Sequence, residues 1–240
     1  MSASPVFSIV VPCYNEAASL PALLEAFSAA GSGVDFELIL VDNGSTDNTP
    51  GELARLLPLY PFARAVKVDV NRGYGFGILS GLATAYGRAV GWIHADLQFS
   101  PAAVFQAALL LDRAGGRKVL VKGLRRGRPL LDRIFTAGMS VFETVCMGTR
   151  LRDINGQPTL FDRSLMKDWT SPPHDFSLDL YVCVTAARAG FREVRFGVEN
   201  LQRRHGASSW NRGFLDRLAL ARRTIAASLR MRARLGGGGR

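Results

Sequence analysis

Short apolar, β-branched runs alternate with amphipathic stretches through the first half of the chain. Val6–Val11 (VFSIVV), ending at Pro12, and Phe36–Val41 (FELILV) read as strands buried on both faces. Ala65–Val70, Val90–Ala95 and Val119–Lys122 are expected as three further strands. A helix opening at Asn15 and Glu16 and running to about Ala30 places Leu20, Leu23, Leu24 and Phe27 on one face. Other helices are expected near residues 48–57, over Gly73–Arg88, and from the Ser100–Pro101 cap to about Arg113. This alternation predicts a mostly parallel α/β sheet with helices on both faces. Beyond it the pattern gives a helix over Leu130–Met147 and a strand near Thr159–Phe161. A helix from about Ser177 to Ala189, a strand over Phe191–Val198 and a last helix over Phe214–Leu235 follow. In that last helix Phe214, Leu218, Ala221, Ile225 and Leu229 recur at helical spacing opposite Arg223, Arg230 and Arg234. Docking on the core and lying on anionic lipid both suit such a helix.

With 48% hydrophobic and 21% charged residues, the 240-residue chain is globular, not disordered. The three cysteines, Cys13, Cys146 and Cys183, are far apart and form no Cys-x-x-Cys pair, which argues against a disulfide framework and for a reducing cytosol. Cys13 and Cys183 read as core residues. Met1–Phe7 lacks the features of a secretory signal, and no apolar run approaches the ~18–20 residues that span a bilayer. A cytoplasmic protein, at most peripheral on the inner face of a membrane, is expected.

The net charge of +10 first suggests nucleic acid as a partner, but its distribution argues otherwise. Residues 1–112 carry 5 basic and 10 acidic groups, whereas residues 113–163 carry 11 and 4, and residues 201–240 carry 10 and 1. An acidic half followed by two basic segments points to localised anion sites, and no nucleic-acid module motif is present.

In open α/β sheets, ligands bind beyond the carboxyl ends of the strands. The first four strands end in Pro12-Cys13-Tyr14-Asn15-Glu16, Asp42-Asn43-Gly44-Ser45-Thr46-Asp47, Asn71-Arg72-Gly73-Tyr74-Gly75 and His94-Ala95-Asp96-Leu97-Gln98. Singly, each reads equally well as a turn or cap. Together they describe one continuous polar rim. The glycines of Gly73–Gly77 do not make a dinucleotide fingerprint, because the third glycine of G-x-G-x-x-G is missing and the run follows the third strand.

In their order and spacing, PCYNE, VDNGSTD, NRGYGFGILSGL and HADLQ resemble the inverting glycosyltransferases of family 2, which have the GT-A fold. The later pieces DINGQP, FSLD and RHGASSW look most like polyprenyl-phosphate sugar transferases such as dolichyl-phosphate mannose synthase. The resemblance, over about residues 5–210, implies a GT-A (Rossmann-like) α/β domain across 1–240. Its parts would be a nucleotide-sugar-binding half (about 5–123), an acceptor half (about 124–212) and a basic amphipathic helix (about 213–235). It implies metal-assisted transfer, with inversion, from a nucleotide-diphosphate sugar to a polyprenyl phosphate; a hydroxyl acceptor on a saccharide or glycolipid is the alternative.

The resemblance also implies roles for single residues. Pro12, Tyr14, Glu16, Asp42, Asn71 and Gly73 would form the donor site, with Asp42 accepting from base or ribose. Asp96 would hold a divalent cation, Mn²⁺ or Mg²⁺, on the donor diphosphate, with Gln98 beside it. His94 stands where the resembling enzymes usually carry an acid. It suits a metal ligand, a nucleotide contact or a sign of weakened catalysis. Arg125 and Arg133 would meet the acceptor phosphate, and Arg204 with Ser208 would close over the phosphates. Asp179 is the candidate acid beside the acceptor: a general base for a hydroxyl, a positioning group for a phosphate that is already anionic.

Overall fold

A computed structural model describes residues 7–127, 129–201 and 214–236. Among these residues seven strands form one sheet: β1 (Phe7–Cys13), β2 (Phe36–Asn43), β3 (Ala63–Val68), β4 (Ala89–Trp92), β5 (Val119–Arg126), β6 (Thr159–Asp162) and β7 (Arg192–Glu199). Their order is β3-β2-β1-β4-β6-β5-β7. All neighbours pair in parallel except β6, which runs antiparallel to both β4 and β5. The expected α/β architecture is thus present, and its central reversal restores β5 and β7 to the direction of β1–β4.

Among the described residues seven α-helices flank the sheet: α1 (Leu20–Ala30), α2 (Thr49–Leu56), α3 (Tyr74–Ala83), α4 (Ala102–Arg113), α5 (Leu130–Met147), α6 (Leu178–Arg188) and α7 (Phe214–Gly236). One face of the sheet, with Ile9, Val11, Leu38 and Leu40, packs against Leu24 and Phe27 of α1, Leu53 of α2 and Val104 of α4. The other, with Val10, Ile39, Val41 and Trp92, packs against Ile78 of α3, Val182 of α6 and Met231 of α7. β1 and β2 have no solvent-facing side, which is why they read as continuous apolar runs. Each fully buried Leu, Ile or Phe contributes about 1.5–3 kcal/mol.

Several boundaries differ from the sequence pattern for local reasons. α1 starts at Leu20, not Asn15, because Asn15 is left-handed (φ 58°) and its Oδ1 accepts from the Thr46 and Asp47 amides. α3 stops at Ala83 because Tyr86 N donates to Glu37 Oε2 and Gly87 N to Ser8 Oγ. β5 runs on past Lys122 to Arg126, so Arg125 and Arg126 lie on the strand end. In α7 the apolar reading is shifted: Ser228 and Met231 are buried, whereas Leu229 is 51% exposed. The end of α7 is held by Arg188 Nη1, which donates to Leu235 O at 2.9 Å. Among the described residues no helix is long and apolar enough to cross a membrane.

Candidate functional site

The polar strand ends meet at the carboxyl rim of β1–β4, laced by hydrogen bonds between loops. Asn15 N donates to Ser45 Oγ at 3.1 Å, Glu16 N to Thr49 Oγ1 at 2.9 Å and Ala17 N to Asp47 Oδ2 at 3.2 Å. Partial burial pushes the Asp47 carboxyl up, but bonds from Thr49 and Ala17 outweigh it and hold it below the usual range. Asp42 is buried, and its Oδ1 accepts from Ser45 N at 3.0 Å. Beside it, Asn43 Nδ2 donates to Gly73 O at 3.0 Å, and Asn71 Oδ1 accepts from Gly73 N at 2.9 Å. Pro12, near the end of β1, and Tyr14 and Glu16, on the loop after it, therefore stand beside the loop that follows Asp42 and β2, with Asn71 and Gly73 on the next one along. Tyr14 is exposed. Cys13 lies beneath them, its thiol pushed up by burial and further by Glu16 and Asp42.

The glycines of the third strand end lie against the chain's own backbone. A Cβ on Gly75 would sit 2.5 Å from Pro173 O and 2.8 Å from Asp175 O, and Phe76 N donates to His174 O at 3.0 Å. The close approach they permit is to the 173–175 backbone of the chain itself.

Tyr74, at the start of α3, organises the centre of the site. Its ring stacks on His94 (centroids 5.3 Å, interplanar 16°) and on Phe176 (4.7 Å, 12°). Its hydroxyl donates to Asp179 Oδ2 at 3.2 Å and stands 3.5 Å from His94 Nε2. Burial, and then the Asp179 carboxylate, push the Tyr74 phenol well up, so it remains a neutral donor. Asp179 is buried, and its Oδ1 accepts from Lys122 Nζ at 3.1 Å and from Gln157 Nε2 at 3.2 Å. Lys122 Nζ also donates to Thr159 Oγ1 at 2.7 Å. Both Asp179 oxygens are thus engaged by the protein. Lys122, Gln157 and Thr159 are members of this cluster that the sequence reading missed. The signal was Lys122 itself, a charge within the apolar strand VLVKGL, where a buried cation requires an anionic partner.

Asp96, on the loop after β4, is buried, and its Oδ1 accepts from Gln98 N at 3.1 Å. Among the described residues no three His, Cys, Asp or Glu side chains gather into a metal cage. One carboxylate, with the Gln98 amide two residues on, suits a hard ion that takes its remaining ligands from water and substrate phosphates, whereas the His94 imidazole is a poorer match to Mg²⁺. The donor set therefore fits Mn²⁺ or Mg²⁺ bound together with a diphosphate.

At the end of β5, Arg125 grips Asp153: its backbone N donates to Oδ2 at 2.8 Å, its Nε to Oδ1 at 2.7 Å, and its Nη2 also reaches Oδ1. Burial pushes the Asp153 carboxyl up, but Arg125 outweighs it and holds the group below the usual range. Arg125, Arg133, Arg150 and Arg152 line a groove of about 500 Å³ with Leu124 and Val141. The structure thus brings Arg125 and Arg133 together, while Arg204 and Ser208 lie outside the described residues.

The model of glycosyl transferase family 2 matches residues 8–154. An undecaprenyl-phosphate 4-deoxy-4-formamido-L-arabinose transferase from Aeromonas hydrophila is 43% identical over 98 residues, 39% of this chain and 30% of that protein. One from Pseudomonas paraeruginosa is 38% identical over 125 residues, 50% of this chain and 36% of that protein. The chain thus matches about a third of the length of these relatives. Glucosyl-3-phosphoglycerate synthase from Mycobacterium tuberculosis has the same fold, with a TM-score of 0.73 and 23% identity over 95% of this chain and 80% of its own. Its complex with Mn²⁺, UDP and glucosyl-3-phosphoglycerate gives 0.72 and 24%, with the same coverage. By the family match across more than half of its residues, and by its GT-A architecture, the chain belongs to glycosyl transferase family 2.

Proposed function

We propose that the chain transfers a sugar, with inversion, from a nucleotide-diphosphate sugar to a polyprenyl phosphate. The observation that carries this reading is the arginine-lined apolar groove on the acceptor side of the sheet. An apolar wall with guanidinium groups matches a lipid tail joined to a phosphate, and a plain saccharide acceptor has no use for it. The names of the relatives support the same acceptor class.

In this reading Asp42 accepts from the base or ribose, against the wall made by Pro12, Tyr14 and Glu16, with Asn71 and Gly73 beside it. Asp96 would hold the divalent cation, which would supply charge neutralisation to the departing diphosphate. The Mn²⁺ and Mg²⁺ complexes of the fold neighbour with UDP support that choice of ion. A phosphate acceptor is already anionic, so it needs orientation more than deprotonation. Asp179 then acts as a positioning residue: it fixes Tyr74, whose ring braces His94 on the metal-binding loop. Arg125 and Arg133, with Arg204 and Ser208, meet the phosphates. The basic helix α7 brings the enzyme to the inner face of a membrane.

The test is incubation with labelled nucleotide-sugar, Mn²⁺ and undecaprenyl phosphate. The expected product is organic-extractable, labile to mild acid and absent with Asp96→Asn or chelator. Label appearing only in polysaccharide would overturn the acceptor assignment.

A further inference from the structure

A second basic cleft, of about 500 Å³, lies away from the acceptor groove, between α7, the Tyr181 side of α6 and the 170–177 segment. Arg230 and Arg234 project into it from successive turns of α7, and Arg72 reaches it from the segment before α3. Among the described residues none of these three guanidinium groups forms a salt bridge. Two like charges at i, i+4 on a helix repel, and a third on the facing wall adds to the cost unless an anion lies between them. The Arg72 guanidinium is set 5.0 Å over the Phe76 ring, which orients its fork.

The remaining wall supplies neutral polar groups. Thr170 and Ser177 line the cleft, and Thr170 N is satisfied by Tyr181 Oη at 3.1 Å. The acid at its edge, Asp175, is already committed: it accepts from Ser177 N at 2.9 Å and from Ser177 Oγ. The cavity is larger than a bare phosphate, with room for a small organic group beside it.

We propose that this cleft is a second anion site, which takes the phosphate of a phosphorylated small molecule or of a lipid headgroup. Three guanidinium groups on two walls match the bidentate geometry of a phosphate. The cleft borders the proposed donor site at Gly73, but none of its three arginines is a residue of the transfer reaction proposed above.

Isothermal titration with inorganic pyrophosphate tests it. Chelator in the buffer suppresses metal-dependent binding at the Asp96 loop. Saturable binding is expected for the wild type, weakened at least tenfold in Arg230→Gln/Arg234→Gln and, independently, in Arg72→Gln. Thermal melts matching the wild type show that the variants fold. Vesicles of phosphatidylglycerol, with phosphatidylcholine as control, distinguish the sources. Variant-sensitive competition by anionic vesicles assigns a lipid headgroup, and pyrophosphate binding without vesicle binding assigns a soluble phosphate. Absence of saturable binding of either probe, or binding that survives both variants, overturns the proposal.

Discussion

Lys122 Nζ lies 3.1 Å from Asp179 Oδ1, and neither side chain is more than 3% exposed. This pair joins β5 to α6 beneath Tyr74, with Thr159 and Gln157 filling further hydrogen-bond positions. Two charges removed from water cost several kcal/mol each, and their attraction with these extra bonds offsets that cost only while both are present.

Lys122→Met is accordingly expected to destabilise the fold by about 3–5 kcal/mol, because it strands a buried carboxylate. Lys122→Met/Asp179→Leu should recover most of that loss. Urea denaturation of both variants checks it, and a loss as large in the double variant as in the single one would contradict the pairing.

The Arg125–Asp153 grip makes stability depend on acid pH. The Asp153 carboxyl is held below its usual range when folded. Its contribution is therefore complete above the unfolded carboxylate value of about 3.9 and fades as pH falls through the lower folded value. Asp153→Asn should lower stability at pH 7 by about 3 kcal/mol, the low end for a broken buried pair. Calorimetric melts from pH 2 to 7 should show the gap to wild type closing at the acid end.

Glu143, buried on α5, presents the opposite sign. Burial pushes its carboxyl up to about 7. The unfolded chain ionises it near pH 4 and the folded chain only near 7, so a penalty grows between those values as pH rises and then stays constant. Glu143→Gln should be more stable than wild type at pH 8 by about 3 kcal/mol, with no gain at pH 4. Equal melting shifts at both pH values would show that ionisation is not the cause.

Gly75→Ala sets two effects against each other. An exposed helical position gains up to about 1 kcal/mol from alanine. Here the added Cβ would meet two carbonyl oxygens of the 173–175 backbone, at 2.5 and 2.8 Å, and backbone yields poorly. Overpacking of this kind costs about 1–3 kcal/mol, so net destabilisation is expected. The displaced loop carries Phe176 away from Tyr74, so nucleotide affinity should also fall, as equilibrium titration with UDP or GDP would show.

The sequence pattern carried the parallel half of the fold well, because β1 and β2 are buried on both faces and the helices between them are amphipathic. It also located the rim, since caps alone do not place Asp42, His94 and Asp96 at strand ends. Strand direction was less legible: nothing in the four residues of β6 distinguishes a reversed strand from a parallel one. The Tyr74–Asp179–Lys122 cluster was hidden for another reason. Its three members lie in three separate elements, α3, α6 and β5, and only the folded chain brings them within hydrogen-bond reach. The docking face of α7 was misread because Ser228, a polar residue, is fully buried there.

The reversal of β6 has a consequence for engineering. Because β6 runs backwards, its beginning reaches the rim, and the segment from Gly148 to Pro158 is delivered there between the two parallel halves. That segment grips Arg125 through Asp153 and contacts Asp179 through Gln157, while β1–β4 keep their own pairings. Exchange of residues 148–157 between relatives should therefore graft acceptor preference as a cassette, leaving nucleotide affinity in place.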